Sequence, residues 1–513
     1  MTSGRQASTP TAGGFARRLH APSTFTVCVA LRPHCGTAPL ESGRVIDLAA
    51  SLLRGGRVDT FLLSHHPPGA GDADTLALAR EILRLGGTPL VSLSLANRTR
   101  RDALESLVAY REAGVRQIVV VSGDYPAQGR NAGEKPFFDL DSLQLLMLVA
   151  AGEAGFPKDA FELGCAVSPF KNLESEQVWQ YSRLARKVEA GAGFVVAQAG
   201  FDPRRWDELA RVCRLQGQTQ PLLGTVLVPD AACLRRIQEG LIPGVQVPET
   251  LAAALACEQA QSDGGRTAGL RRAAGSLALL RGLGYRGAVL GGPGLTAGDI
   301  QHVLEAADGL ADRWRGCVEP GAVAAEGFHF FRPGSAEALN DDRPADVAPR
   351  LRRRHPLYVL SHAIDYVAFG SLLPPFRFLA ALCRFCDRGS ARRRALWIAE
   401  YLAKGPLYGC RMCGDCTLYA CAFLCPESGC PKRMSNGPCG GSRDGWCEVH
   451  PGDRTCFWVV AYGRLKGLAE RPDFPTPPIP AKDRGLQGTC SWINFCLGRD
   501  HRRDWVRDRL AGR

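Results

Sequence analysis

Nine cysteines fall within the forty-seven residues from Cys410 to Cys456 of this 513-residue chain, nearly half of its 20. They stand in Cys-Arg-Met-Cys-Gly-Asp-Cys (410–416), at Cys421, in Cys425-Pro426 and Cys430-Pro431-Lys432, in Asn-Gly-Pro-Cys-Gly-Gly (436–441), and at Cys447 and Cys456. An apolar core does not need thiols at that density, so they are held by disulfides or by metal. The N-terminal stretch, Met1 to Ser23, is polar and lacks the apolar segment of a secretory signal. No run approaches the roughly 18 apolar residues of a membrane span. A cytoplasmic, reducing location is expected, and there clustered thiols serve metals.

Cys410, Cys413 and Cys416 have the C-x2-C-x2-C spacing that wraps three thiolates around one cluster. A fourth ligand followed by proline is common beside such runs, and Cys425 and Cys430 both qualify. Cys439 sits in a glycine-rich turn that allows close backbone approach to a metal. Four-cysteine zinc sites use similar knuckles. The expected metal ligands are Cys410, Cys413, Cys416, Cys425, Cys430, Cys439 and Cys447. They would hold a [4Fe–4S] cluster, zinc, or one of each, and spacing does not decide which four belong together. Cys383 with Cys386, and Cys490 with Cys496, are candidates for a second site. Cys28, Cys165, Cys213, Cys233 and Cys257 read as small buried hydrophobes.

The chain is too long for one core. Its net charge of +12 is uneven: residues 1–356 carry 40 basic and 37 acidic side chains, residues 357–513 carry 23 and 14. The arginine runs 352–354 and 392–394 are not interleaved with stacking aromatics, which argues against nucleic-acid binding. Basic charge beside the cysteines balances thiolates instead.

From about residue 24 to 308, short Val- and Leu-rich runs alternate with amphipathic stretches. Candidate strands are Thr24–Pro33, Asp59–His65, Pro89–Leu95, Gln117–Ser122, Leu163–Ser168, Phe194–Ala199, Leu222–Val228 and Ala288–Gly291. Continuous apolar runs of this kind are strands buried on both faces. Eight units over that length predict a (β/α)8 TIM barrel, with a doubly wound open sheet as the alternative, because periodicity does not show closure. The expected organisation is a disordered tail over 1–23, the barrel over 24–316, a linker over 317–356 and a cysteine-rich, metal-binding, α-rich domain over 357–513.

Three barrel segments resemble the flavin-dependent methylenetetrahydrofolate reductase family: Val119–Pro126 with its Gly123-Asp124, Lys187-Val188-Glu189-Ala190-Gly191-Ala192 followed by Gln198, and Val91–Arg98. The cysteine motifs resemble the C-terminal domain that accompanies some members of that family. The resemblance implies a TIM-barrel oxidoreductase of one-carbon metabolism carrying FAD (or FMN). Asp124 and Gln198 are the implied catalytic residues. Ser64, Asp124 and Lys187 are the implied flavin contacts, Lys187 at the phosphate-bearing tail. The implied partners are methylene- and methyl-tetrahydrofolate, a ferredoxin-like or NAD(P)H electron donor, and a second copy in a homo-oligomer, with no membrane and no nucleic acid. The chain departs from the pattern at Ala30, where the family has a glutamate acting as general acid, and at Ser92, Asn97 and Ser122. An alanine donates no proton, and loss of a positioned acid costs about 10²–10⁴ in rate. Replacement acids among His34, His65 and His66, or a degenerate barrel that binds folate or a partner without catalysis, are the readings that departure opens.

Overall fold

The structure, a computed structural model, describes residues 14–31, 42–65, 75–125, 136–152, 155–157, 159–323, 327–334, 338–345, 355–370, 374–466, 474 and 476–503. Eight parallel strands close on themselves: β1 (Thr26–Ala30), β2 (Thr60–His65), β3 (Thr88–Ser94), β4 (Gln117–Val121), β5 (Glu162–Val167), β6 (Phe194–Ala199), β7 (Leu222–Leu227) and β8 (Gly287–Gly291). The pairing of β1 with β8, Thr26 opposite Gly287, removes both sheet edges and excludes the open sheet.

Around the barrel run α1 (Gly14–His20), α2 (Ser42–Gly55), α3 (Thr75–Arg84), α4 (Arg100–Glu112), α5 (Ser142–Ala150), α6 (Glu174–Glu189), α7 (Pro203–Leu215), α8 (Ala231–Gln238), α9 (Glu249–Gln259), α10 (Arg266–Gly282) and α11 (Ala297–Gly309). Strand residues alternate between two buried environments, as a period of two requires. Cys28, Leu90, Val119, Phe194, Leu223 and Val289 fill the interior, while Val27, Val29, Leu63, Leu93 and Val120 join the layer under the helices. Gly164 leaves room for an interior ring, since a Cβ there would lie 2.3 Å from Phe194.

Residues 14–20, expected to be part of a disordered tail, instead form α1. Phe15 and Leu19, one helical turn apart, join the interior cluster, and Phe15 meets Phe194 edge to face at 5.6 Å. Two fully buried apolar side chains stabilise by about 1.5–3 kcal/mol each, enough to order a short helix over the barrel. The expected linker also holds structure. The strands β9 (Phe331–Pro333) and β10 (Asn340–Pro344) form a hairpin tied to α7, with Asn340 bonded to the Arg204 carbonyl (2.9 Å) and Asp207 (3.0 Å).

Beyond it lie α12 (Pro356–Asp365), α13 (Pro374–Asp387), α14 (Ser390–Tyr408), α15 (Pro426–Gly429), the ribbon of β11 (Trp446–Cys447) and β12 (His450–Thr455), α16 (Phe457–Leu465) and α17 (Ser491–Cys496). This cysteine-rich region packs against α5 and α6. Trp179, fully buried on α6, stacks on Phe474 (4.4 Å between centroids), meets Trp458 edge-on and donates to the Trp458 carbonyl (2.8 Å). Gln144 donates to the Pro480 carbonyl (3.1 Å), and Lys466 pairs with Glu174 (2.6 Å).

Candidate functional site: two thiol cages on a barrel mouth

Eight of the nine clustered cysteines separate into two cavities, and the ninth, Cys421, is buried in the core beside them. Cys410, Cys413, Cys416 and Cys425 line one, with Glu400 and Lys482. Cys430, Cys439, Cys447 and Cys456 line the other, with Lys432 and Glu448. Cys456, absent from the expected ligand set, completes the second quartet from the N-cap of α16, where its sulfur accepts from the N–H groups of Trp458 and Val459. The Cys430 sulfur accepts from Lys432 and Met434, and Cys439 from Gly441. The Met412 N–H points at Cys410 (3.4 Å). Backbone donors aimed at sulfur stabilise thiolates and tune the clusters they hold.

Burial pushes the Cys413 and Cys430 thiols up to about 12 and raises Cys439 and Cys456 as well, so a metal must displace protons to bind. The counter-charge is built in. Lys404 lies 3.7 Å from Cys416 and Lys482 3.9 Å from Cys413, paired with Glu400 (2.7 Å) and Glu427 (2.8 Å). Burial opposes the Lys432 ammonium, but Glu448, Cys439 and Asp124 outweigh it and raise Lys432 above its usual range. A four-thiolate zinc ion, with Zn–S of about 2.3 Å, draws its sulfurs to about 3.8 Å of one another. Among the described residues no three sulfurs lie mutually within 4.8 Å.

Asp415, Asp500 and His501 do come that close. However, both ring nitrogens of His501 are already engaged, by Asp415 and by the Tyr419 hydroxyl (2.9 Å), which makes the group a clasp beside the first cage. Cys383, Cys386, Cys490 and Cys496 share one small core, in which the Cys383 and Cys496 thiols hydrogen bond. Cys28, Cys165, Cys213 and Cys233 are buried as expected, whereas Cys257 is exposed on α9.

The second cage rests on the C-terminal end of the barrel, where TIM-barrel chemistry sits. Lys432 donates to the Gly123 carbonyl (2.7 Å), next to the exposed Asp124. Lys171, fully buried after β5, donates to the carbonyls of Gly440 (2.7 Å) and Ser442 (2.5 Å) in the cage loop. Gln198 on β6 donates to the Pro243 carbonyl (3.2 Å), and a Cβ on the adjoining Gly244 would lie 3.1 Å from the Gly440 carbonyl oxygen and 3.5 Å from the Gln198 amide. Asp124, after β4, and Gln198, near the end of β6, thus lie at the same end of the barrel, against the cage. Gly123 adopts φ +87°, and a Cβ there would meet Ser94 Oγ at 2.3 Å.

Ser64 is buried in β2, and Ala30 ends β1 against Gly291, so among the described residues no acid stands at that strand end. Asn97, at φ +54°, accepts from the Phe137 N–H (3.0 Å) and fixes the neighbouring loop. His34 and His66, together with the side chain of His65, lie outside the described residues.

Residues 65–281 match the family described as methylenetetrahydrofolate reductase, and residues 393–484 match the family described as methylene-tetrahydrofolate reductase C terminal. The chain thus carries a segment similar to methylenetetrahydrofolate reductase, followed by one similar to that reductase's C terminal. A Caenorhabditis elegans protein named "Probable methylenetetrahydrofolate reductase (NADPH)" is 25% identical over 169 residues, which is 32% of this chain and 24% of that protein. The match therefore spans about a quarter of the length of this curated relative. Among solved structures, tryptophan synthase from Mycobacterium tuberculosis aligns with 61% of this chain and 99% of its own at 14% identity and a TM-score of 0.31. A 2,3-dimethylmalate lyase aligns with 59% and 86% at 13% identity and a TM-score of 0.33. The family match begins at His65, after β1 and Ala30.

The surroundings of Lys187 are those of a residue packed inside the protein. Lys187 was expected at the phosphate-bearing tail, but it is 7% exposed and donates inward to the Ala166 carbonyl (2.6 Å). Burial, with Arg183 nearby, lowers its pKa to about 8. Its neighbours on α6 are likewise taken: Arg183 bonds to the Pro438 carbonyl, and Arg186 bonds to the Thr476 carbonyl and stacks on Phe474 at 3.7 Å. Lys187 thus spends its ammonium on the barrel's own backbone, while Arg183 and Arg186 beside it are engaged by the C-terminal region.

Proposed function

We propose that this chain is an oxidoreductase of folate one-carbon metabolism that interconverts methylene- and methyl-tetrahydrofolate at the barrel mouth, exchanging electrons through iron–sulfur clusters in the two thiol cages. The observation that carries the reading is the seating of the second cage on the strand ends, with Lys432 joining Glu448 beside Cys447 to the Gly123 carbonyl beside Asp124. The cages suit such clusters in thiol number, in backbone donors and in buried lysines. A cluster held there would supply one-electron transfer. Reducing the methylene carbon takes two electrons and two protons. The chain's own part is to bind and orient the folate, with Asp124 at the rim of the mouth and Gln198 offering its amide to the pterin edge. Lys171 and Lys432 hold the cage loop over that mouth and exclude water from it.

A second reading, a barrel that binds folate or a partner without catalysis, draws on Ala30 and on the occupied surroundings of Lys187. Anaerobic purification with iron, sulfide and flavin analysis separates the two, followed by methyl-tetrahydrofolate oxidation with a viologen acceptor. Iron and sulfide in cluster ratio together with viologen-coupled turnover support the oxidoreductase. A protein free of iron, or one that binds methyl-tetrahydrofolate without turnover, supports the scaffold.

A further inference from the structure

Helix α13 has two apolar faces. Phe376, Ala380 and Cys383 pack inward against α17. On the opposite side Phe378, Leu382 and Phe385 repeat the i, i+4, i+7 spacing yet are 74%, 37% and 54% exposed. A helix that is apolar all round is ordinarily buried all round. The neighbouring helices repeat the pattern, with Leu360 and Ile364 exposed on α12 and Ile398 and Leu402 on α14. Among the described residues, twelve of the nineteen exposed large apolar side chains fall between Val359 and Leu407. Concentration of this kind marks an interaction surface.

The charges on the same helices choose the occupant. Arg377, Arg384, Arg388, Arg392, Arg393 and Arg394 are all exposed, and Arg392 lies 4.2 Å above the Phe385 ring. Among the described residues from His355 to Gly409, no carboxylate is exposed: Glu400 is buried, Asp365 is half-buried, and Asp387 is held by Arg499 (2.6 Å). Two such faces repel each other, so a second copy of the chain does not fit. An acidic protein with an apolar centre does.

The other side of α14 faces the first cage. Glu400 lines that cavity, and Lys404 stands 3.7 Å from Cys416. The face and the cage are therefore one helix diameter apart, about 10 Å. We propose that the exposed face of α12, α13 and α14 is the docking site for a small acidic electron-transfer protein that delivers electrons to the first cage. This rests on the reading of the cages as electron carriers given above.

The test uses the anaerobically purified full chain and a reduced bacterial two-cluster ferredoxin as probe, with bleaching of the visible cluster absorbance followed by stopped flow. Dithionite serves as the small donor that needs no docking. Leu402→Asp, Phe378→Asp and the triple change of Arg392, Arg393 and Arg394 to Glu alter exposed side chains only. Each is expected to slow bleaching by ferredoxin at least tenfold while leaving bleaching by dithionite unchanged. The wild-type rate is expected to fall as salt rises.

Variants that react with ferredoxin at the wild-type rate overturn the proposal. So does a wild-type protein that dithionite bleaches and ferredoxin does not. A dimer in sedimentation that Leu402→Asp dissolves would assign the face to a second copy, and flotation with phosphatidylglycerol vesicles would assign it to lipid. Absence of bleaching even by dithionite would refute the electron-carrier reading itself and remove this proposal with it.

Discussion

Lys171→Met tests whether one buried lysine fastens the cage loop to the barrel. The side chain has no exposed surface and donates to two carbonyls of the C-terminal domain, Gly440 at 2.7 Å and Ser442 at 2.5 Å. Hydrogen bonds from a charged donor contribute about 1.5–3 kcal/mol each, and a buried carbonyl left without a donor costs about 1–3 kcal/mol. Methionine keeps most of the volume and no longer buries an ammonium, which returns part of that loss. The net expectation is a destabilisation of roughly 3 kcal/mol. At a urea slope of about 2 kcal/mol per molar this lowers the midpoint by about 1.5 M. Near-ultraviolet circular dichroism reads the change, because Trp179 and Trp458 touch across this contact (5.4 Å) and lose their fixed geometry when it opens. The far-ultraviolet signal of the barrel is expected to move less, giving two transitions where the wild type shows one. A near-ultraviolet midpoint within 0.3 M, approximately the error of such a curve, would refute the reasoning, since it would mean that the loop stays docked without its two bonds.

Three further outcomes are expected. Cys413→Ser and Cys439→Ser each remove metal from one cage, so each is expected to halve the bound iron and the double variant to abolish it, measured by elemental analysis. Burial raises the Glu162 carboxyl to about 7, so the folded state holds its proton where the unfolded chain, near 4.5, has released it; stability contributed below pH 4.5 is then lost as pH rises to 7. Glu162→Gln should unfold like wild type at pH 4 and resist urea better at pH 8, by on the order of 1 kcal/mol once water access to the carboxyl is discounted. Gly123→Ala places a methyl group against Ser94 at φ +87°, and is expected to lower thermal stability and displace Asp124, with weaker folate binding by calorimetry.

The barrel strands were legible because a parallel strand covered on both faces must be apolar along its whole length, and no other element of five to seven residues reads that way. Closure was not legible, since it depends on β1 meeting β8 some 260 residues later. Helix α1 escaped for the opposite reason. Only Phe15 and Leu19 are buried in a polar window, and what orders them is a hole in the barrel that no local pattern announces. Hairpin β9–β10 carries the polar stretch Asn340–Pro344, and its order comes from Arg204 and Asp207 on α7.

The thiols divide along the same line. C-x2-C-x2-C announces three cysteines of one cage, but Cys456 stands alone in sequence and joins the other only because it caps α16 beside Cys430 and Cys439. Lys187 is the sharpest case. Its motif transfers the residue but not its surroundings, because what lies over α6 is decided by Pro438 and Thr476, about 250 and 290 residues further on. Protein packs along α6, and a row of cations of the kind that binds phosphate grips backbone carbonyls there. The same three cations serve either purpose, so only the folded chain shows which one they serve.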